Sequence, residues 1–209
     1  MVRAGDFIEN PVTGETMRFV LTGSETANEL LRIEMVVRPG GFVASEHVHP
    51  RQEERFHITS GRIRLRIDGE ERLYAPGESI TIPAGTPHIW WNSGTDDLRV
   101  TLEFRPAGRF AEFITTFFAM AVAGKTNARG LPRDLLQLGV TLAEYRDVIH
   151  GTTPPWAVQQ ALFALIAPLG GLLGYRPDVP YPGFHEDVSS SGRQRPTSVP
   201  RVDSLRSRH

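Results

Sequence analysis

The sequence predicts a mainly β fold, a sandwich or barrel, followed by a C-terminal helical extension. Three observations carry this. Residues 62–67 (RIRLRI) and 99–104 (RVTLEF) alternate polar and apolar side chains without a break, the period of a strand with one face in a core. Glycine and proline punctuate the first half at short intervals, as in many short antiparallel strands. Near residue 106 the apolar spacing lengthens to three and four residues, the period of an amphipathic helix.

Residues 1–105 are expected to form the β domain, with Asp68-Gly69 as a hairpin turn. Residues 106–183 are expected to be a helical extension packed on the barrel or on a partner. Its first helix carries an apolar stripe at Phe110, Phe113, Ile114, Phe117, Phe118 and Ala121. Thr141 and Glu144 match a capping box opening a short second helix. A third, from about 155 to 173, contains Pro168, which should kink it or end it early. Residues 184–209, rich in Ser and Arg without an apolar period, are expected to be a disordered, solvated tail.

The 209 residues, 40% of them hydrophobic, are enough for one domain with a sizeable core. A net charge of -1 favours neither nucleic acid nor an anionic membrane. Cysteine is absent, which excludes disulfides and thiolate metal ligands. The segment MVRAGDFIENPVTG has no apolar run of a signal peptide, so a cytoplasmic location is expected. Residues 156–175 are uncharged and long enough to span a bilayer. Two glutamines, a proline and three glycines in that stretch favour a packed helix over membrane contact.

The chemistry concentrates in HVHPRQEERFHITSG, residues 47–61. His47 and His49 are one residue apart, so on a strand both imidazoles project to the same side. The proline turn breaks the count, and the glutamates are assigned from downstream. Glu54 shares parity with Phe56 and Ile58 and points inward; Glu53 points outward with Arg55 and His57. An inward carboxylate without a cation is costly, which argues for a metal at Glu54. In residues 77–92, GESITIPAGTPHIWWN, His88 opens a strand and shares a face with Trp90.

These two segments resemble the cupin superfamily. Gly41-x5-His47-x-His49-x4-Glu54-x6-Gly61 matches the first cupin motif at every defined position, and Gly77-x5-Pro83-x-Gly85-x2-His88-x3-Asn92 the second. The resemblance implies a double-stranded β-helix, or jelly-roll barrel, holding one divalent metal through His47, His49, Glu54 and His88. Asn92, Pro83 and the matched glycines would be structural. Three imidazoles and a carboxylate suit Fe(II), Mn(II), Ni(II), Co(II) or Zn(II). In an octahedron they leave two open positions.

Inward parity nominates Phe56, Leu65, Ile82, Trp90, Leu102 and Phe104 as the substrate pocket. Arg62, Arg64 and Arg66 should point away from the metal. No inward acid–base group beyond Glu54 is visible, and His150, His185 and His209 lie outside the barrel with no assigned role. The resulting expectation is oxygen-dependent oxidation of a small, largely apolar molecule, as in a dioxygenase, with Glu54 as the candidate catalytic residue. Two alternatives stand beside it: non-redox lyase, isomerase or cyclase chemistry, and a metal-dependent binding or sensor module. A homodimer is expected because the stripe at Phe110, Phe113 and Phe117 needs cover.

Overall fold

The structure is a computed structural model that describes residues 2–184. Among the described residues the strands are β1 (Phe7–Asn10), β2 (Glu15–Leu21), β3 (Leu31–Val37), β4 (His47–Val48), β5 (Glu53–Ser60), β6 (Ile63–Ile67), β7 (Glu70–Tyr74), β8 (Ser79–Ile82), β9 (His88–Asn92), β10 (Leu98–Arg105) and β11 (His150–Gly151). The helices are α1 (Phe110–Val122), α2 (Leu135–Glu144) and α3 (Trp156–Leu172). The strands form two antiparallel sheets, ordered β1-β2-β3-β10-β5-β8 and β11-β4-β9-β6-β7. They enclose one apolar core that includes Phe19, Ile33, Phe56, Ile58, Ile63, Leu65 and Leu102.

Period-two burial runs through β2, β3, β5, β9 and β10, so the alternation in the sequence is read directly as inside and outside. Asp68 and Gly69 both have positive φ, 50° and 84°, the conformation of the two-residue turn that joins β6 to β7. Gly41 is required by crowding. A Cβ there would meet Val37 Cγ1 at 2.5 Å and Thr13 O at 2.8 Å. Asn92 ties the loops around it, its Nδ2 donating to the carbonyls of Val37 and Asp96, both at 2.9 Å.

The helical half departs from the sequence reading in three places. The capping box at Thr141 does not open a helix. Asp134 is the N-cap of α2, its Oδ1 accepting from Leu136 N and Gln137 N, and Thr141 lies in the last turns with its hydroxyl donating to Pro177 O. The apolar run of α2 starts at Leu135, so an earlier acidic cap wins over the Thr-x-x-Glu spacing. Pro168 does not end α3, which continues to Leu172. Both Pro168 and Ala164, whose carbonyl loses its intrahelical donor, lie on the exposed side, where water can satisfy it. The stripe at Phe110 and Phe113 is not left for a partner either, because both rings are buried against the barrel of their own chain.

No described helix is long and apolar enough to cross a membrane, which removes the membrane-span reading of residues 156–175. Instead α3 packs on α2 through close approaches of Gly139 to Ile166 and of Gly170 to Val140. Of the expected tail, Phe184 packs beside Tyr181 with ring centroids 5.2 Å apart, and Tyr181 Oη accepts from Glu9 N at 2.9 Å. The rest of the tail, residues 185–209 with His185 and His209, lies outside the described residues.

Candidate metal centre

His47 stands on β4 directly opposite His88 on β9, and His49 follows β4 on the same side as His47. Glu54 comes from the other sheet, on β5 between Phe104 of β10 and Ile82 of β8. The barrel therefore brings three imidazoles from one wall against a carboxylate from the other. All four residues are buried, and one ligand atom from each lies within 4.8 Å of the others. Glu54 is 3% exposed while Glu53 and His57 face solvent, as their parity requires.

Each imidazole is oriented by a backbone carbonyl. Nδ1 of His47 lies 2.9 Å from Ser45 O, that of His49 2.8 Å from Val148 O, and that of His88 2.9 Å from Thr86 O. A carbonyl only accepts, so Nδ1 carries the proton in each ring and Nε2 presents its lone pair. Nε2 of His88 lies 2.7 Å from Glu54 Oε2, and that of His49 3.7 Å from it. With His88 neutral, none of these three atoms has a hydrogen-bond partner among the described residues. Converging buried acceptors repel one another unless a cation or a proton sits among them.

The electrostatics follow from that crowding. Burial, then the neighbouring His88 and His49, hold the His47 imidazole well below its ordinary pKa. Burial also lowers His49, against the pull of Glu54. For His88 burial opposes the charge, but the Glu54 carboxylate beside it prevails and its pKa is raised. Three imidazoles and a carboxylate are the donor set of one divalent transition metal, which would displace the proton that Glu54 favours on His88.

The cluster borders a cavity of about 740 Å³. His47, His49 and Glu54 line it, and His88 stands behind them. Of the pocket residues nominated by parity, only Trp90 and Leu102 reach its wall. Phe56, Leu65, Ile82 and Phe104 are closed into the core, where neighbouring barrel side chains cover them. Phe104 instead stacks on Phe110 at 3.8 Å and lies edge-on to His49 at 5.2 Å. The remaining wall comes largely from the helical extension, including Phe113, Phe117, Leu142, Phe163 and Ile166. Among the described residues no Lys or Arg lines the cavity.

The polar residues on this wall that the sequence left without a role include His150 and Glu15. His150, placed outside the barrel, is in fact on β11, paired with Val48 of β4, lining the cavity and stacked on Trp156 at 4.2 Å. A two-residue strand has no period, and nothing local announces it. Glu15, by contrast, shares parity with Met17 and Phe19, a carboxyl on an apolar stripe that alternation alone could have found. It is buried on the cavity wall. Burial pushes its pKa up to about 8, with a hydrogen bond from Thr13 opposing the rise and the Glu54 charge adding to it.

Comparison with known proteins finds partial matches to the barrel. The family model described as "Cupin domain" matches residues 33–104. The chain is 30% identical over 90 residues to quercetin 2,3-dioxygenase of Bacillus subtilis, covering 43% of this chain and 26% of that protein. It is 31% identical over 71 residues to the polyketide synthase CurC of Streptomyces cyaneus, 34% of this chain and 46% of the other. With protein SchB of Streptomyces halstedii the identity is 32% over 71 residues, 34% of this chain and 51% of the relative. The chain thus spans between 26% and 51% of the length of these relatives. Among solved structures, a predicted oxalate decarboxylase of Thermotoga maritima superposes with a TM-score of 0.45 at 21% identity, over 51% of this chain and 98% of that one.

Proposed function

We infer that this chain, a member of the cupin superfamily through the domain at residues 33–104, binds one divalent metal through His47, His49, Glu54 and His88 and acts on a small, largely apolar organic molecule. The reaction assigned is oxygen-dependent oxidation of a flat substrate bearing a phenolic or enolic oxygen. One observation carries this reading. The apolar cavity is lined by three of the four candidate ligands and, among the described residues, by no Lys or Arg, so it suits an uncharged ring system better than a phosphate or a charged sugar. The similarity to a quercetin 2,3-dioxygenase points the same way.

When bound, the metal would supply a redox or Lewis-acid centre beside the substrate. The chain's own residues do the rest. Phe113, Phe117 and Phe163 on the cavity wall exclude water and favour a flat apolar body. Val148, Ser45 and Thr86 fix the imidazole tautomers through their carbonyls. Glu54 supports the metal and is the candidate group to accept a substrate proton beside it.

A second reading is favoured by Glu15. It is a further carboxyl in the same cavity as Glu54, free of the Arg66 and Thr152 partners that hold Glu46 there, and two proton-transfer groups are what lyase, isomerase or cyclase chemistry uses. To separate the readings, metal-free protein is loaded with Fe(II), Mn(II), Ni(II), Co(II) or Zn(II) in turn. Each form is then screened against phenolic, enolic and β-dicarbonyl compounds with and without oxygen. Product that requires oxygen supports oxidation. Equal product without oxygen moves the assignment to the non-redox class, and binding without product under every metal makes the chain a binding module.

A further inference from the structure

Glu15 is a buried carboxyl without a cation. It opens β2 at 4% exposure and lines the same cavity as His47, His49 and Glu54. Thr13 Oγ1 donates to its Oε2 at 2.6 Å. Among the described residues no other group hydrogen-bonds or ion-pairs with it. The Thr13 contact is itself held in place, because Asn10 Oδ1 accepts from Val12 N at 3.0 Å and Thr13 N at 3.2 Å and so shapes the turn that delivers the hydroxyl. A carboxylate in such a place would be strongly disfavoured, and a packing role would be served better by an apolar side chain.

At neutral pH this environment keeps the group protonated, since burial raises its pKa to about 8. A neutral carboxyl has one proton to give. Oε2 is already accepting from Thr13, which leaves Oε1 free to carry the O–H of a residue that lines the cavity. A neutral acid held in an apolar site is a hydrogen-bond donor aimed at an acceptor oxygen.

We propose that Glu15 is the substrate-positioning donor of this cavity, binding a carbonyl oxygen of the ligand at a point separate from the His47–His49–Glu54–His88 cluster. The cavity then selects flat apolar molecules with two oxygen functions, one for the cluster and one for Glu15. This rests on the reading above that the substrate is an uncharged phenolic or enolic compound.

The test uses the full metal-loaded chain and the variants Glu15→Gln and Glu15→Leu. Infrared difference spectra between wild type and Glu15→Gln should contain a carboxylic-acid carbonyl band at neutral pH that fades near pH 8. Its absence at neutral pH overturns the proposal whatever ligands do. Quenching of tryptophan fluorescence then reads binding of two probes, a phenolic aryl ketone and the same phenol without the ketone. Wild type should prefer the ketone by about tenfold, the worth of one hydrogen bond in a dry site. Glu15→Gln should keep the preference through its amide N–H, and Glu15→Leu should lose it while still binding the phenol. Equal preference in Glu15→Leu overturns the role of Glu15 alone. Failure of both probes to bind wild type overturns the substrate class together with it. Metal content should be the same in all three proteins, and a fall in either variant would make Glu15 a ligand and not a donor.

Discussion

At the scale of single residues, the site is decided by which way each side chain faces. Glu53 and Glu54 are adjacent and chemically identical, yet one is in water and the other 3% exposed beside three imidazoles. Replacing Glu54, His47, His49 or His88 by Ala should therefore lower metal content sharply. Glu53→Ala should leave it near wild type, with elemental analysis of purified protein as the measurement. Equal loss in Glu53→Ala and Glu54→Ala would sink the assignment. Glu15 makes a separate prediction about pH. Its carboxyl keeps its proton to about pH 8 in the folded chain, against an ordinary value of 4.5. Between those values the folded state binds more protons than the unfolded one, so this group makes stability fall as pH rises; below 4.5 both states are protonated and the effect vanishes. Glu15→Gln removes the dependence. Its melting temperature relative to wild type should climb between pH 5 and pH 8, and a difference constant with pH would show that Glu15 ionises freely in the folded protein.

At the scale of elements, the helical extension completes the site. Val148, just before β11, accepts from His49, and β11 adds the edge strand beside β4. Helix α1 places Phe110 against Phe104 and His49. Truncation after Arg105 should thus cost more than the helices themselves. The barrel would expose Phe104, His49 would lose its carbonyl, and metal affinity should fall about 10- to 100-fold, as when an outer partner of a metal-bound histidine is removed. Competition with a chelator measures this; unchanged affinity in a folded truncation would mean that the barrel alone orients His49. The contact between α2 and α3 depends on two glycines. A Cβ at Gly139 would overlap Ile166 and one at Gly170 would overlap Val140, both β-branched neighbours with little freedom to move. Gly139→Ala with Gly170→Ala gains helix propensity of about 1 kcal/mol per site. The clash should outweigh it at about 1–3 kcal/mol each, giving a net loss in denaturant melts with metal content unchanged.

At the scale of the whole molecule, the dimer expected from the sequence keeps its place as a prediction but changes its basis. Phe110 and Phe113 are buried within the chain, so they give no reason to associate. Exposed apolar side chains cluster on α3, where Leu165 is 72% and Leu172 is 87% exposed, with Leu162 and Leu169 on the same helix also exposed. Clustered exposed leucines of this kind favour association. Sedimentation at micromolar concentration should give a dimer that Leu165→Glu with Leu169→Glu converts to monomer. A wild-type monomer would remove the prediction.

The sequence by itself determined what depends on local period. Strand alternation separated Glu54 from Glu53 and placed His88 with Trp90 on one face, and Asp68-Gly69 marked its turn, because a side chain's direction on a strand depends only on its count from its neighbours. The same rule would have found Glu15 from Met17 and Phe19. Tertiary structure alone decided which apolar residues meet a ligand and which fill the core. Phe56, Leu65, Ile82 and Phe104 have the same inward parity as Trp90 and Leu102, but only the last two border the space that α1, α2 and α3 enclose over the barrel. His150 and the carbonyl of Val148 reach the site by the same route. They arrive through packing between segments about a hundred residues apart, a contact that no local pattern encodes because its energy comes from burying one segment against the other.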